Sequence, residues 1–204
     1  SVVYKGRGNI ASGVTGVDCP QPQSVALFAQ KGIAHKDEDW FAATVMNHIL
    51  GGGSFESRLM AEVREKRGLT YGVYSYLAPM DLAATYQGSV SSANDRIAEA
   101  ISVIRDEWKE MAENGATVQE LDDAKTYITG SYPLRFDGNQ QIAGILVGMQ
   151  LLGLPIDYIA TRNDKVDAVT LEDVRRVSAE LLDPEGLAFV VVGQPEGLEK
   201  TAGN

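Results

Sequence analysis

An arginine and a tyrosine that stand seven positions apart, Arg64 and Tyr71, are the pair in this chain best suited to chemistry. The arginine falls late in a predicted helix and the tyrosine opens the next predicted strand, so both side chains can point to one place beside a sheet edge. A guanidinium and a phenol are the hydrogen-bond donors needed to hold a peptide carbonyl or a developing oxyanion. The pair therefore predicts stabilisation of a carbonyl group, while the attacking group has to come from elsewhere.

Each of the two residues alone also has a simpler structural interpretation. Arg64 could be a surface helix residue paired with Glu62 or Glu65, and Tyr71 could be a half-buried aromatic of a strand. The helix-turn-strand linkage between them, together with a glycine-rich segment just before the helix, favours a functional interpretation of the pair.

That segment consists of Gly51, Gly52, Gly53 and Ser54. It does not fit a phosphate loop, because the Gly-Lys-Ser/Thr ending and the GxGxxG spacing are missing and it follows a helix rather than a strand. Two interpretations remain. The glycines end the preceding helix, or they form a flexible lip over a substrate cleft, since glycine lets the backbone approach a ligand closely.

The chain offers few residues for a metal site or a covalent nucleophile. Its two histidines, His35 and His48, stand outside any HxxEH or HxxxH pattern, and the single Cys19 excludes an internal disulfide and a cysteine-built zinc site. No GxSxG nucleophile motif is present. We therefore expect this chain to bind no catalytic metal by itself.

Composition narrows the class of partner. The 204 residues carry a formal net charge of −10 with 44% apolar residues. This balance is typical of a globular protein and opposes nucleic-acid binding, because neutralising phosphates requires clustered Lys and Arg. No apolar run reaches the roughly 18 residues of a membrane span. Because no initiator Met precedes Ser1, we expect a processed product or a fragment of a longer protein.

The elements that position these residues follow from hydrophobic periodicity and capping signals. Strands are predicted at about 23–31, 70–78, 83–92 and 187–192, and helices at about 40–50, 57–66, 94–114 (capped by Asn94), 117–134, 138–152, 155–166 and 170–182. This order predicts an α+β fold, a two-layer sandwich whose largely antiparallel sheet carries helices on one face. Residues 1–23 are rich in Gly, Ser, Thr and Pro and are predicted to be a linker or a lead-in with at most one short strand; residues 24–204 are predicted to form one domain.

Two neighbouring stretches, Ile49–Leu59 and Glu62–Ser75, resemble the C-terminal half of pitrilysin-type M16 zinc peptidases, with the small bacterial members and the mitochondrial processing peptidase subunits closest in style. The predicted helix around 117–125 and the end strand at 187–193 fit the same family, so the resemblance runs from about 24 to 194. It implies one of two homologous α+β halves that enclose a cavity. In this family one half binds zinc through HxxEH and a distal Glu, and the other lends an arginine and a tyrosine.

By this resemblance, Arg64 and Tyr71 are the contributed pair, which stabilises the substrate or the transition state near the scissile carbonyl. Gly51–Ser54 would line the cavity as a substrate-binding loop. The resemblance places zinc in a partner half, either an upstream domain or a separate subunit, and implies a peptide substrate. Because HxxEH is missing here, the chain alone should be inactive. The alternative is a non-enzymatic scaffold or an inactive partner subunit of an M16-type complex. The compartment, periplasm or cytoplasm of a bacterium, stays open.

Overall fold

The computed structural model describes residues 10–52, 55–80 and 83–199 of the chain. Five strands form one sheet in the order β1-β5-β2-β4-β3. The strands are β1 (Gly13–Asp18), β2 (Gln23–Lys31), β3 (Val73–Ala78), β4 (Thr85–Ala93) and β5 (Ala188–Gly193). The α-helices are α1 (Trp40–Gly51), α2 (Ile97–Asn114), α3 (Val118–Ser131), α4 (Asn139–Leu151), α5 (Tyr158–Asp167) and α6 (Leu171–Leu181), and two further turns are π-helical (Met60–Glu65) and 3₁₀ (Tyr132–Phe136).

The centre of the sheet is the antiparallel pair of β2 and β4, which extends from Gln23 opposite Ala93 to Lys31 opposite Thr85. Burial alternates along both strands, so one face is covered by helices and the other stays partly open. Strand β1 departs from the antiparallel pattern, since it pairs in parallel with β5. The predicted α+β sandwich with a largely antiparallel sheet is confirmed.

An aromatic cluster fills the space between the sheet and α2. Trp108 lies edge-on to Phe28 with ring centroids 5.7 Å apart, and Phe28 packs against Phe189 at 5.6 Å. The indole Nε1 of Trp108 donates to Gln30 Oε1 over 2.6 Å, which satisfies a polar side chain inside the core. This packing fixes α2 on the sheet.

The helix predicted for 117–134 is shorter than expected. It ends at Ser131 and continues as the 3₁₀ turn, because Pro133 has no N–H to donate to an α-helical carbonyl. The start of α3 agrees with the predicted capping box: Thr117 accepts from the backbone of Glu120, whose side chain in turn accepts from Thr117.

The predicted role of Asn94 as the N-cap of α2 is wrong. Its Oδ1 accepts from Ser24 Oγ at 2.6 Å and its Nδ2 donates to Gln21 O at 2.8 Å, so the side chain ties β4 to the start of β2. The N-cap position belongs to Arg96. The hydrogen bond with Ser24, a residue distant in the sequence, replaces the predicted capping bond of Asn94.

The segment 1–23, predicted as a linker or lead-in, contributes β1 to the sheet through residues 13–18. Among the described residues, none of the helices is both long enough and apolar enough to cross a membrane.

Candidate functional site

Arg64 lies in a π-helical turn, Met60–Glu65, which the sequence predicts as part of an ordinary helix. In a π-helix, each N–H donates to the carbonyl five residues earlier, and here Lys66 N donates to Ala61 O over 2.9 Å. The buried side chain of Val63 anchors the turn to the core. Because a π-turn holds one residue more than an α-turn, it changes the direction of the side chains that follow, and such turns are frequent at functional sites.

The guanidinium of Arg64 remains half-exposed. Its Cζ lies 5.0 Å from the centroid of the Phe55 ring, and its Nε lies 3.5 Å from Oε1 of Glu65. A long ion pair between two partly exposed neighbours contributes little to stability. Within the described residues, the Arg64 guanidinium therefore contacts an aromatic ring and forms no short ion pair.

The other acid considered as a partner of Arg64 is engaged elsewhere. Glu62 forms ion pairs with Lys66 and with Arg67. Hydrogen bonds from these two cations, Lys66 first, lower the pKa of the Glu62 carboxyl. Glu62 is thus shared by Lys66 and Arg67, and among the described residues it forms no ion pair with Arg64.

The turn that links Arg64 to Tyr71 is fastened to β4. Leu69 is buried, and its carbonyl accepts from Ser92 Oγ at 2.5 Å. Thr70 Oγ1 lies 2.6 Å from Ser91 O, to which it can donate, and it accepts from Gly72 N at 3.0 Å. The residues on both sides of Tyr71 are therefore held by the sheet.

Tyr71 stands free of the core. It is 90% exposed and lies in a bend before β3, which begins at Val73. Two expectations for this residue are wrong: it does not open the strand, and it is not a half-buried strand aromatic. Because its ring is almost fully exposed, Tyr71 contributes little to the packing of the core. Within the described part of the chain, Arg64 and Tyr71 share no hydrogen bond.

Gly51 ends α1 against β3 and the π-turn. A Cβ at this position would lie 2.4 Å from Ser75 Oγ and 2.8 Å from Leu59 Cδ1, so no larger residue fits without a shift. One turn earlier, Asn47 Oδ1 accepts from Ser75 Oγ at 2.9 Å. Gly51 is buried, and its evident role is close packing of helix on strand.

The rest of the glycine segment is described only in part. Gly52 is half-buried and donates its N–H to His48 O at 3.4 Å, as the residue after α1. Gly53 and Ser54 lie outside the described residues. A substrate-binding role for Gly51, Gly52, Gly53 and Ser54 stays a prediction.

A largely buried ion pair ties the start of the π-turn segment to α3. Arg58 Nε lies 2.6 Å from Glu120 Oε1, and Arg58 Nη2 donates to Glu120 Oε2 and to Gly115 O, each at 2.9 Å. Burial alone would raise the pKa of Glu120, but hydrogen bonds from Arg58 and Thr117 hold it at about 2. The bidentate pair fixes the chain six residues before Arg64.

Glu120→Gln should therefore lower the stability of the fold at neutral pH. Removing one partner of a buried pair costs about 3–5 kcal/mol, and because the two side chains keep 15% and 29% of their exposure, we expect about 2 kcal/mol. Since the folded pKa of Glu120 lies below its ordinary value, its contribution is present above about pH 4.5 and is lost as the pH falls towards 2. Urea unfolding of both proteins at pH 7 and pH 3 checks this. The stability gap must shrink at pH 3, and a gap of equal size at both pH values would contradict the assignment.

The two histidines sit in ring stacks. His35 stacks on Trp40 with centroids 4.5 Å apart, and His48 stacks on Tyr127 at 4.8 Å. Burial lowers the pKa of both imidazoles. Over the described residues, no three or more His, Cys, Asp or Glu side chains are grouped so that they could hold a metal ion.

The face of the sheet that carries no helices is mostly uncharged. Its exposed apolar and aromatic side chains come from four strands: Val17, Leu27, Tyr74, Tyr76 and Val190. The register sets Tyr74 opposite Ser89, Ser89 opposite Leu27, and Leu27 opposite Val190, which makes one row across the sheet. An uncharged face of this kind is typical of a surface that another body covers.

Three residues of the site, Phe55, Arg58 and Thr70, were not singled out from the sequence. The first places the Arg64 guanidinium, the second anchors the segment before it, and the third fixes the backbone at Tyr71. A Thr or Arg at such positions is ordinary in composition. The Ser91 partner of Thr70 and the Glu120 partner of Arg58 lie 21 and 62 residues away, so no local spacing reveals these two supports.

A sequence profile described as Peptidase M16 inactive domain matches residues 11–128. The chain is 33% identical over 166 residues to an uncharacterized zinc protease of Streptomyces coelicolor, covering 78% of this chain and 35% of that protein. It is 30% identical over 155 residues to the non-peptidase homolog YmxG of Helicobacter pylori, covering 76% of this chain and 36% of the relative.

A solved structure agrees with the sequence matches. The fold superposes on the peptidase M16 inactive domain from Pseudomonas fluorescens with a TM-score of 0.83 and 34% identity, covering 93% of this chain and 45% of that one. The present chain thus spans about a third of the length of the curated relatives and less than half of this structural neighbour.

Proposed function

The chain belongs to the family of peptidase M16 inactive domains, and from this membership we infer that it is the substrate-binding half of a zinc peptidase that hydrolyses peptides. Its family identifies it as a non-catalytic half. We assign to Arg64 and Tyr71 the task of gripping the substrate backbone near the scissile carbonyl, with the zinc site in a partner half.

The observation that carries this proposal is the state of the two side chains. Tyr71 is almost fully exposed on a backbone that Thr70 fastens to β4, and Arg64 is positioned by Phe55 without a strong acidic partner. A tyrosine and an arginine on a fixed turn, neither used by the fold, are preorganised donors for a ligand. Their turn is short, because Gly68 N donates to Arg64 O and Leu69 N to Val63 O.

The chemistry divides between the two halves. A zinc ion bound by the partner half would supply an activated water for attack on the peptide carbonyl. In this chain, Arg64 offers charge-assisted N–H donors and Tyr71 a neutral O–H donor to the oxygen on which negative charge grows. Such donors matter most where the closed cavity excludes bulk water, because charge interactions weaken in a high dielectric.

The edge of the sheet next to these residues suits an extended peptide. Strand β3 is the last strand in the order and pairs with β4 on one side, so its outer edge has backbone groups to offer. A peptide added there as a further strand would be held by main-chain hydrogen bonds with little sequence preference. Tyr71 lies two residues before Val73, where β3 begins, so such a peptide would run past it.

The open sheet face supports the pairing with a second half. Its row of Tyr74, Leu27 and Val190 presents apolar surface that water would otherwise cover. Since relatives of this chain are more than twice its length, we place the homologous zinc-binding half, as an upstream domain or as a separate subunit, on this side of the sheet.

Tyr71→Phe tests the proposal. In the assembly that contains the zinc-binding half, the change keeps the ring and removes one donor, so kcat should fall about 10-fold or more with unchanged zinc content. Tyr127→Phe, which keeps its ring stack on His48, is the matched control and should retain full activity. The 204-residue chain alone, with zinc added, should cleave nothing. Unchanged kcat in Tyr71→Phe, or robust zinc-dependent cleavage by the chain alone, would overturn the assignment.

A second candidate function is a non-enzymatic scaffold or inactive partner subunit. It is favoured by the 30% identity to a relative described as a non-peptidase homolog. Zinc analysis of the purified full-length assembly separates the two. A stoichiometric zinc ion and HxxEH in the partner half support the peptidase, and their absence supports the scaffold.

A further inference from the structure

A groove of about 630 Å³ lies between α4, α5 and the 3₁₀ turn. Its walls are aliphatic on the side of α4 and aromatic on the opposite side. The aliphatic residues are Ile145, Met149, Leu152 and Leu154, and the aromatic ones are His35, Tyr132 and Tyr158. This volume lies in the range of ligand sites in proteins, about 300–1,000 Å³.

Two arginines, Arg135 and Arg162, line the groove, and its lining includes no carboxylate. Within the described residues, neither guanidinium takes part in an ion pair. Burial lowers the pKa of Arg162, and the positive charge of Arg135 lowers it further. The exposed Arg135 and the half-buried Arg162 thus give the groove two positive charges with no ion-pair partner among the described residues.

Uncharged groups orient the guanidinium of Arg162. Its Cζ lies 4.2 Å from the centroid of the Tyr132 ring, and its Nη1 donates to Asn163 Oδ1 at 3.0 Å and to Ile128 O at 3.4 Å. A guanidinium has five N–H donors, and bonds to neutral acceptors do not cancel its charge. These contacts fix the orientation of the Arg162 guanidinium. Among the described residues, its positive charge has no carboxylate partner.

Two glycines of α4 widen the groove. Gly144 and Gly148 stand one helical turn apart and line it, and a Cβ at either position would meet no atom within 4 Å. Glycine inside a helix costs about 1 kcal/mol relative to alanine. The helix therefore carries two unfavourable residues on the side where they leave room for a ligand.

A third cation stands at the rim. A Cβ built on Gly153 would lie 3.4 Å from Nζ of Lys36, which places this ammonium beside Gly153, the residue between Leu152 and Leu154 in the sequence. In the described part of the chain, Lys36 takes part in no ion pair. The cationic groups therefore stand both inside the groove and at its rim.

We propose that this groove binds a polypeptide segment in which an acidic side chain stands next to an aliphatic one. The carboxylate binds the forks of Arg135 and Arg162, and the aliphatic side chain lies against Ile145 and Met149. A planar carboxylate matches a guanidinium fork in two parallel hydrogen bonds. The aliphatic wall favours a peptide over a free phosphate, which has no apolar part to bury there.

The test uses the ¹⁵N-labelled 204-residue chain and two octapeptides with acetylated and amidated ends, Ser-Gly-Ser-Leu-Glu-Ser-Gly-Ser and its Glu-to-Gln counterpart. The Glu peptide should shift amide resonances of α4 and α5 and bind about tenfold more tightly than its Gln counterpart, since hydrogen bonds to a charged group are stronger than those to a neutral one. A Gln peptide with a free C-terminal carboxylate should bind as weakly as the blocked one. Equal affinity for all three peptides, or complete competition by equimolar inorganic phosphate, would overturn the proposal.

Two variants locate the binding. Arg135→Gln removes an exposed cation, and Gly148→Leu adds a side chain to the groove at a position where a Cβ meets no atom within 4 Å; each should weaken binding of the Glu peptide about tenfold. Their matched controls are Lys109→Gln on α2 and Gly130→Leu on α3, where a Cβ also meets no atom within 4 Å. Both controls should bind as the unchanged chain does. Binding that survives both groove variants would refute the site.

This inference does not depend on the proposed function. Arg64→Ala should leave binding of the Glu peptide unchanged, because Arg64 does not line the groove. Thermal unfolding of every variant by circular dichroism separates loss of binding from loss of fold. If Arg64→Ala lost binding of the Glu peptide, the groove would not be a site separate from that of Arg64, and the proposal would be overturned.

Discussion

Replacing Arg64 by alanine is expected to lower kcat of the zinc-containing assembly by about 10²–10³-fold, the effect of removing one preorganised donor from a developing oxyanion. The structural reason is that, among the described residues, the side chain of Arg64 contacts the Phe55 ring and lies 3.5 Å from Glu65 without a shorter ion pair. Its loss should change the melting temperature little while it removes a charge-assisted donor. Steady-state kinetics with an internally quenched peptide measures kcat, and zinc analysis checks that the metal content is unchanged. Thermal unfolding measures the melting temperature.

The control for the loss of one arginine is Arg176→Ala. Arg176 is exposed on α6 and pairs with Asp39 and Glu180, so its removal costs surface ion pairs and should leave kcat as it was. Arg64→Lys gives a finer comparison, because lysine keeps the charge but has no planar fork. We expect its kcat to fall between the other two. If Arg64→Ala retained full turnover in a well-folded assembly, the guanidinium could not be the substrate grip.

The sequence predicts the large elements because each one has a strong local signal. Alternation marks β2 from Gln23 to Lys31, and the capping box marks the start of α3, both as observed. The π-turn at Met60–Glu65 has no such signal. Its extra residue is accommodated because Val63 and Leu59 are drawn into the core, and tertiary packing of this kind cannot be inferred from periodicity within one helix.

The site role of Arg64 and Tyr71 stays a prediction, and the residues that support the two were not predicted from the sequence. Arg64 and Tyr71 were found from their types and spacing, whereas the exposure of Tyr71 depends on hydrogen bonds from Thr70 to β4. Asn94 illustrates the same limit. Its type favours a helix cap, but Ser24, seventy residues away, offers a partner that no local rule includes.

Gly51→Ala tests whether the packing at the end of α1 controls the site. The added methyl would lie 2.4 Å from Ser75 Oγ and 2.8 Å from Leu59 Cδ1, so either β3 or the segment entering the π-turn must move. Overpacking of this kind costs about 1–3 kcal/mol, and we expect the upper end because the backbone N of Ser75 lies only 3.1 Å away. Urea unfolding measures the loss.

The matched control is Gly130→Ala, which adds the same methyl group in α3 with no atom within 4 Å. It should raise the free energy of unfolding by up to about 1 kcal/mol, the helical preference of alanine over glycine. The two variants therefore change stability in opposite directions. In the assembly, Gly51→Ala should also lower turnover by about 10²-fold, since Leu59 leads directly into the turn that carries Arg64, and a displacement of about 1 Å is enough for such a loss. A destabilised Gly51→Ala variant with full turnover at a temperature where it stays folded would show that this packing supports the fold alone, and that the position of Arg64 is set by Arg58, Glu120 and Phe55.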